Sequence, residues 1–327
     1  SILNRWQEME MRGMGTKVLF HYDVGDRLRK TVAQFGSRGL QVVCCPEGSD
    51  EPFYSELSDA HSIWHVLRPI TADDMARAPK LRLIQKIGVG VNTIDLEAAK
   101  ARGIAVCNMP GTNSRAVAEM SLLLMLAALR RQPRLDRACR SGEWRVDKET
   151  KESLGEISGR TVGFVGFGAV PQILAPILDC MGARITYTAT APKPVDYEFL
   201  SLESVLARSD IVSLHIPLTT RTNKLIGAAE LRLMKPGAVL INTARGELVD
   251  EAALYSALTD GSLGAAGLDV FSHEPVVADN PLLSLDNVVV TPHVGWLTNE
   301  TFSRSLEIAA RNSLAIMTGE DLVHRVV

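Results

Sequence analysis

Cysteine is scarce in this chain of 327 residues and poorly placed for cross-linking. The five, Cys44, Cys45, Cys107, Cys139 and Cys180, are odd in number and form no C-x-x-C pair. That argues against a disulfide framework and against a cysteine-based metal site. Reduced thiols in a cytoplasmic enzyme, with no bound metal, are the expectation. Long apolar runs are missing too. The longest, Met120 to Leu129, is too short to span a bilayer and reads as a buried helix. Clustered basic charge is also missing. The net charge is −3, and the run from Arg130 to Arg140 is broken by Asp136, so it reads as a solvated helix face. Neither a membrane nor a nucleic-acid partner is expected. No short-period repeat is visible. The N-terminus lacks a signal-type apolar core. Ser1 in place of Met suggests processing or a fusion remnant, and residues up to about Gly15 read as an extension before the first strand.

What is present is ordinary globular composition, 46% hydrophobic and 22% charged. The length favours two domains. Short apolar runs at Lys17–Phe20, Gln41–Cys44, Ser62–Val66, Leu83–Lys86 and Ile104–Val106 alternate with helical stretches such as Thr71–Ala78 and Asp95–Arg102. This is the pattern of a parallel α/β sheet. A long helix spans about Ser114–Leu129, and Arg140–Gly159 reads as a polar loop. A second series follows, with strands at Thr161–Val165, Arg184–Tyr187, Ile211–Leu214, Ala238–Ile241, Ala265–Val270 and Val288–Val290. These match two βαβαβ halves. A final helix, Asn299 to about Thr318, is expected to return to the first domain.

Three strand exits each deliver one polar residue. Ala238-Val-Leu-Ile-Asn-Thr-Ala-Arg-Gly246 delivers Arg245, Gly264-Ala-Ala-Gly-Leu-Asp-Val-Phe-Ser-His-Glu-Pro275 delivers Glu274, and Asn287-Val-Val-Val-Thr-Pro-His293 delivers His293. Open parallel sheets hold their ligands outside the carboxyl ends of strands. A cation, a carboxylate and an imidazole arriving there suggest an anchored anionic substrate and a tuned acid/base.

Thr161-Val-Gly-Phe-Val-Gly-Phe-Gly-Ala-Val-Pro171 is a strand entering a glycine-rich turn and a helix. Gly166 permits the turn and Gly168 lets a pyrophosphate approach. The helix start at Ala169 and Val170 offers N–H groups to it. Two positions depart from the dinucleotide fingerprint. Pro171 replaces the third glycine, which a first helical turn tolerates. Ala189 stands where an acid would bind the ribose 2′-hydroxyl of NAD. Thr188, Thr190 and Lys193 could instead meet a 2′-phosphate, so the cofactor is NAD or NADP with a leaning towards tolerance of NADP.

The segments Gly163-Phe-Val-Gly-Phe-Gly168, Val212-Ser-Leu-His-Ile-Pro-Leu-Thr219, Asn242-Thr-Ala-Arg-Gly246, Gly267-Leu-Asp-Val-Phe271 with Glu274-Pro275, and Thr291-Pro-His-Val-Gly295 resemble the D-isomer-specific 2-hydroxyacid dehydrogenases. Gly88-Val-Gly-Val-Asn-Thr-Ile-Asp95 and Val117-Ala-Glu119 extend the resemblance, which runs from about Lys17 to Gly319. It implies two doubly wound α/β domains joined by two crossing helices. A Rossmann dinucleotide-binding domain at 113–297 would be inserted in a flavodoxin-like substrate domain at 1–112 and 298–327.

By this resemblance Arg245 holds the substrate carboxylate and polarises its carbonyl, and bidentate bonding suits that role. His293 is the proton donor in reduction and the acceptor in oxidation. Glu274 orients it and favours its charged form. The amides of Val89 and Gly90 bind the carboxylate. Asp269 contacts the nicotinamide carboxamide. Ile216, Pro217 and Thr243 line the cofactor, and His215, Thr222 and Gly295 complete that set. Val117 touches the nicotinamide ring from the other domain. Trp296 either walls the substrate pocket or packs, and side-chain specificity lies near Leu67 and Arg68. His21, His61, His65, His273 and His324 are assigned to surface or packing roles. A homodimer with 132–144 as an arm is implied.

The reaction implied is NAD(P)H-dependent reduction of a small 2-oxo acid, reversibly. Tyr187-Thr-Ala-Thr-Ala-Pro-Lys-Pro194 looks like the matching loop of glyoxylate/hydroxypyruvate reductases that use NADPH, which makes glyoxylate and hydroxypyruvate the first candidates. Glu274 sets the chain apart from formate dehydrogenases, and Val89 from phosphite dehydrogenases, which carry lysine there. The alternative is an NAD(P)-sensing, corepressor-like binding protein on the same fold.

Overall fold

Twelve strands form two wholly parallel sheets in the computed structural model, which describes residues 15–327. The N-terminal extension expected from the sequence lies almost entirely outside the described residues. Contacts divide the described residues into a unit of residues 15–113 with 298–327 and a unit of residues 114–297.

The first unit has strands β1 (Thr16–His21), β2 (Leu40–Cys45), β3 (Ser62–His65), β4 (Leu83–Lys86) and β5 (Ala105–Cys107), ordered β2-β1-β3-β4-β5. β1, β3, β4 and β5 are buried along their whole length, as expected for parallel strands covered on both faces. The last residues of four strands fall in one register row. Cys45 pairs with His21, His21 with His65, and His65 with Lys86. Residues in such a row face the same side of the sheet. The helix Asn299–Thr318 covers the opposite side. It opens at Thr298, whose hydroxyl accepts from Thr301 N–H, and closes at Gly319 with φ 76°. It buries Phe302, Leu306, Ala309 and Ala310. Trp64 Nε1 donates to its Ser313 hydroxyl at 2.9 Å, and Asn312 donates to Gln85 at 2.7 Å. These bonds fasten the C-terminal helix to the first sheet.

The second unit has β6 (Thr161–Val165), β7 (Arg184–Thr188), β8 (Glu198–Phe199), β9 (Ile211–Leu214), β10 (Ala238–Asn242), β11 (Leu263–Leu268) and β12 (Val288–Val290), ordered β12-β11-β10-β9-β6-β7-β8. This is the doubly wound order, with its reversal between β6 and β9. The helix Ser114–Leu129 lies against β11 so closely that a Cβ at Gly267 would sit 2.8 Å from Leu124 Cβ.

Three expectations need correcting. The segment 140–159 is not all loop, because it holds the helix Lys148–Ser153. Asp147 caps that helix, accepting from Thr150 N–H at 2.7 Å and from its hydroxyl at 2.8 Å. β8 was not foreseen, since two exposed residues give no readable alternation. Val117 was expected from the other domain but belongs to the same unit as the glycine loop. The basic helix Gln132–Arg140 buries none of its residues, and Arg134, Arg137 and Arg140 pair with Asp147, Asp286 and Asp136. Among the described residues no helix is long and apolar enough to cross a membrane.

Candidate active site

Arg245, Glu274 and His293 follow β10, β11 and β12, which are consecutive neighbours in the second sheet. The Arg245 loop is set by Asn242, buried at the end of β10. Its amide nitrogen donates to the Arg245 carbonyl at 2.8 Å, and its oxygen accepts from Ala244 N–H at 3.0 Å. Gly246 is held tightly against the Phe271 backbone, where a Cβ would overlap the carbonyl carbon. The β10 and β11 exits are therefore locked to each other.

His293 Nδ1 lies 2.5 Å from Glu274 Oε2. With an ionised carboxylate opposite, Nδ1 carries the proton and donates, which leaves Nε2 for chemistry. The other Glu274 oxygen accepts from Phe271 N–H at 2.9 Å. Burial alone would raise the Glu274 carboxyl. The bonds from His293 and Phe271, with the charges of His293 and Arg245, outweigh that and hold it below the ordinary glutamate value. Glu274 is thus an anion beside the imidazole at neutral pH.

His293 has φ 54°, an uncommon conformation for a residue with a side chain. Its surroundings hold it there. Its N–H donates to the Asp269 carbonyl at 2.7 Å, and its carbonyl accepts from Trp296 Nε1 at 3.0 Å. The Asp269 side chain is buried in the turn that follows. It accepts from Thr291 Oγ1 at 2.6 Å, Val294 N–H at 2.9 Å and Gly295 N–H at 2.8 Å. Burial raises its carboxyl above the usual value despite those bonds. A carboxylate has about four acceptor positions, so one remains for a carboxamide. A Cβ at Gly295 would come 2.7 Å from Asp269 Oδ2, which keeps that position glycine.

The dinucleotide residues cluster around β6 and β9. Gly166 has φ 92°, and a Cβ there would strike the His215 carbonyl and come 2.7 Å from Ile216. Gly168 by contrast faces open space. It starts the helix Ala169–Cys180, and no side chain caps that helix start. The Ala169 and Val170 N–H groups are therefore placed as an anion-binding end, with Pro171 buried in the first turn. These features fit a pyrophosphate. His215 bonds Ser213 Oγ at 2.8 Å, and burial pushes its imidazole down to about 3, which keeps it neutral. Thr222 Oγ1 donates to the Pro217 carbonyl at 2.7 Å and fixes that loop. Thr243 meets Ser121 at 2.9 Å, and Ser121 donates to the Val117 carbonyl at 2.8 Å. The Thr188 carbonyl accepts from Gly166 N–H at 2.9 Å. The loop after it is clasped by Tyr187, whose hydroxyl accepts from Lys193 N–H at 2.8 Å.

In the first unit, Leu67 and Val89 are exposed large apolar side chains, at 44% and 45%. Arg68 is committed to protein partners. It donates to Asp50, Asp74 and Tyr54 and lies over the Phe53 ring at 4.6 Å. Among the described residues, the Val89 and Gly90 N–H groups make no hydrogen bond within the chain. Sequence reasoning missed Asn242, Gly246 and Thr291. Only the asparagine carried a signal, as a lone amide ending an apolar strand just before an arginine.

A family model described as D-isomer specific 2-hydroxyacid dehydrogenase, NAD binding domain, matches residues 122–295. The chain belongs to the D-isomer-specific 2-hydroxyacid dehydrogenases. It is 42% identical over 258 residues to a glyoxylate reductase of Korarchaeum cryptofilum, covering 77% of this chain and 78% of that one. A glyoxylate reductase of Aeropyrum pernix is 40% identical over 290 residues, covering 85% and 87%. The solved TT0316 protein from Thermus thermophilus superposes with a TM-score of 0.87 at 38% identity, covering 95% of this chain and 100% of that one. This dehydrogenase is an NAD(P)-dependent oxidoreductase of the 2-oxo acid/2-hydroxy acid couple.

Proposed function

We propose that the chain reduces a small 2-oxo acid, glyoxylate or hydroxypyruvate first, to the D-2-hydroxy acid, with His293 as proton donor, Glu274 as its partner and Arg245 as the anchor. The observation that carries this is the Glu274–His293 bond at 2.5 Å, beside a strand exit carrying Arg245. The reduced dinucleotide, when bound, supplies the hydride to the carbonyl carbon. The glycine turn at Gly166–Gly168 and the helix start at Ala169–Val170 would hold its pyrophosphate. Arg245 pairs with the substrate carboxylate and draws charge onto the carbonyl oxygen. His293 Nε2 gives that oxygen its proton, and Glu274 stabilises the imidazole while it is charged. The Val89 and Gly90 N–H groups take the carboxylate, and Leu67 and Trp296 limit the substrate's side chain. Asp269 uses its remaining acceptor position for the carboxamide.

Ala189 and Lys193 support tolerance of NADP, because no acid opposes a 2′-phosphate and a cation stands close by. A homodimer, as the family resemblance implies, and a cytoplasmic location, as the unpaired cysteines suggest, belong to this reading. The glyoxylate reductase relatives support the substrate choice.

The test is a panel of 2-oxo acids, each assayed with NADH and with NADPH. Glyoxylate and hydroxypyruvate should lead it, with NADPH accepted. Dinucleotide binding without turnover of any acid would overturn the reading and favour a nucleotide-sensing binding protein.

A further inference from the structure

We propose that Glu251 is a positioning residue for Glu274, holding the loop between β11 and β12 on both sides so that the Glu274 carboxylate meets His293. This rests on the reading of the chain as a 2-oxo acid reductase.

Glu274 sits on a loop that packing alone does little to fix. Phe271 and Leu282 are buried, and between them no residue is fully buried. Backbone with few apolar contacts opens at low cost in free energy. Yet Glu274 has to keep one oxygen 2.5 Å from His293 Nδ1, and a reacting pair loses rate quickly when its geometry drifts.

Glu251 supplies the missing constraint. One of its carboxylate oxygens accepts from Ser272 N–H at 2.6 Å, just before Glu274. The other accepts from Asn280 Nδ2 at 3.0 Å, beyond Glu274. A single side chain thus clasps the loop on both sides. The Glu274 oxygen that does not face His293 accepts from Phe271 N–H at 2.9 Å, next to the Ser272 tether.

The base of this clasp is anchored in the core. Glu251 opens the helix Glu251–Thr259, which Asp250 caps and which buries Leu254 and Leu258. The chain reaches it from Arg245 by way of Gly246, where a Cβ would come 2.3 Å from Ser272 N. The segment after β10 therefore carries Arg245 at one end and the tether of the Glu274 loop at the other.

The partners of Glu251 also fix its chemistry. Asn280 Oδ1 accepts from Leu282 N–H at 3.0 Å, so the amide nitrogen of Asn280 is the end that faces Glu251. Both groups facing Glu251 are donors, and a carboxylate accepts from both. A glutamine there would set an NH2 group against one donor. Turning over the Asn280 amide would move that mismatch to Leu282 N–H without removing it.

The test compares the wild type with Glu251→Gln, Glu251→Ala, the exchanged pair Glu251→Gln with Asn280→Asp, and Glu251→Gln combined with Glu274→Gln. The readouts are kcat for glyoxylate reduction and the dissociation constant of the reduced dinucleotide. Glu251→Gln should lower kcat by about tenfold, the scale of one mismatched hydrogen bond at a charged group. Glu251→Ala should lower it by about 10- to 100-fold, because the loop is released on both sides. Dinucleotide affinity should stay within about threefold, since the glycine turn lies on other strands. The exchanged pair restores a donor facing an acceptor at every position, and kcat should return to within about threefold of wild type. With Glu274→Gln already present, Glu251→Gln should cost less than about twofold more, because its effect runs through that carboxylate. Glutamine keeps the size of the side chain if alanine fails to fold. Unchanged kcat in the single variants, a loss that falls on dinucleotide affinity instead, no recovery in the exchanged pair, or losses that multiply with Glu274→Gln each overturn the inference while the reductase reading stands. A wild type that reduces no 2-oxo acid overturns both.

Discussion

The strand exits of the two sheets do their work with different parts of the chain. After β10, β11 and β12 the functional groups are side chains, and Glu274 meets His293 directly at 2.5 Å. After β4 the proposed groups are the backbone N–H groups of Val89 and Gly90 in a glycine turn, which make no hydrogen bond within the chain among the described residues. Side-chain chemistry demands particular residue types, so Arg245, Glu274 and His293 are conspicuous in the sequence. Backbone chemistry demands only a conformation, so Val89 and Gly90 look like any turn. Under the proposed function, the first arrangement would decide which reaction occurs, and the second which acid is accepted and how tightly.

The sharpest break between the two regions should come from His293→Gln. It should lower turnover by about 10²–10⁴ and leave dinucleotide affinity intact, the usual scale for loss of a general acid–base. Unchanged turnover in stopped-flow and steady-state assays would remove His293 from the reaction. Arg245→Ala comes next. Losing a charged, bidentate pair worth about 3 kcal/mol should reduce kcat/KM by about 10²-fold. The loss should appear in both substrate KM and kcat. An effect confined to dinucleotide affinity would mean that Arg245 serves the cofactor. Smaller again is Lys193→Ala. It should shift the ratio of kcat/KM for NADPH over NADH by about tenfold towards NADH, one charge-assisted contact's worth. A wild-type enzyme already strongly selective for NADH would defeat the reading of Ala189 and Lys193.

Much of this molecule was readable beforehand. β4, β6, β9 and β12 fall where their apolar runs do, and so do the helices Ser114–Leu129 and Asn299–Thr318. Buried parallel strands show as short continuous runs of Val, Ile and Leu, and long helices carry unmistakable apolar faces. The supports of the site were harder to see. Gly246 matters because of the Phe271 backbone against it, a neighbour 25 residues away in sequence. Asp269 accepts three bonds from a turn more than 20 residues further on. Lys86, at the end of β4, meets the Val66 carbonyl just past the end of β3. Each is a tertiary relation without local periodicity. The helix Lys148–Ser153 escaped for another reason: its start rests on one aspartate cap in an otherwise polar stretch.

The central claim is that the exits of β10, β11 and β12 act together, with Glu274 working through His293. A double-mutant cycle on turnover tests it most directly, using Glu274→Gln, His293→Gln and the pair together. If the carboxylate acts only through the imidazole, the double variant should be no slower than His293→Gln alone. If the two losses multiply, Glu274 has a separate role and the account of the trio is wrong.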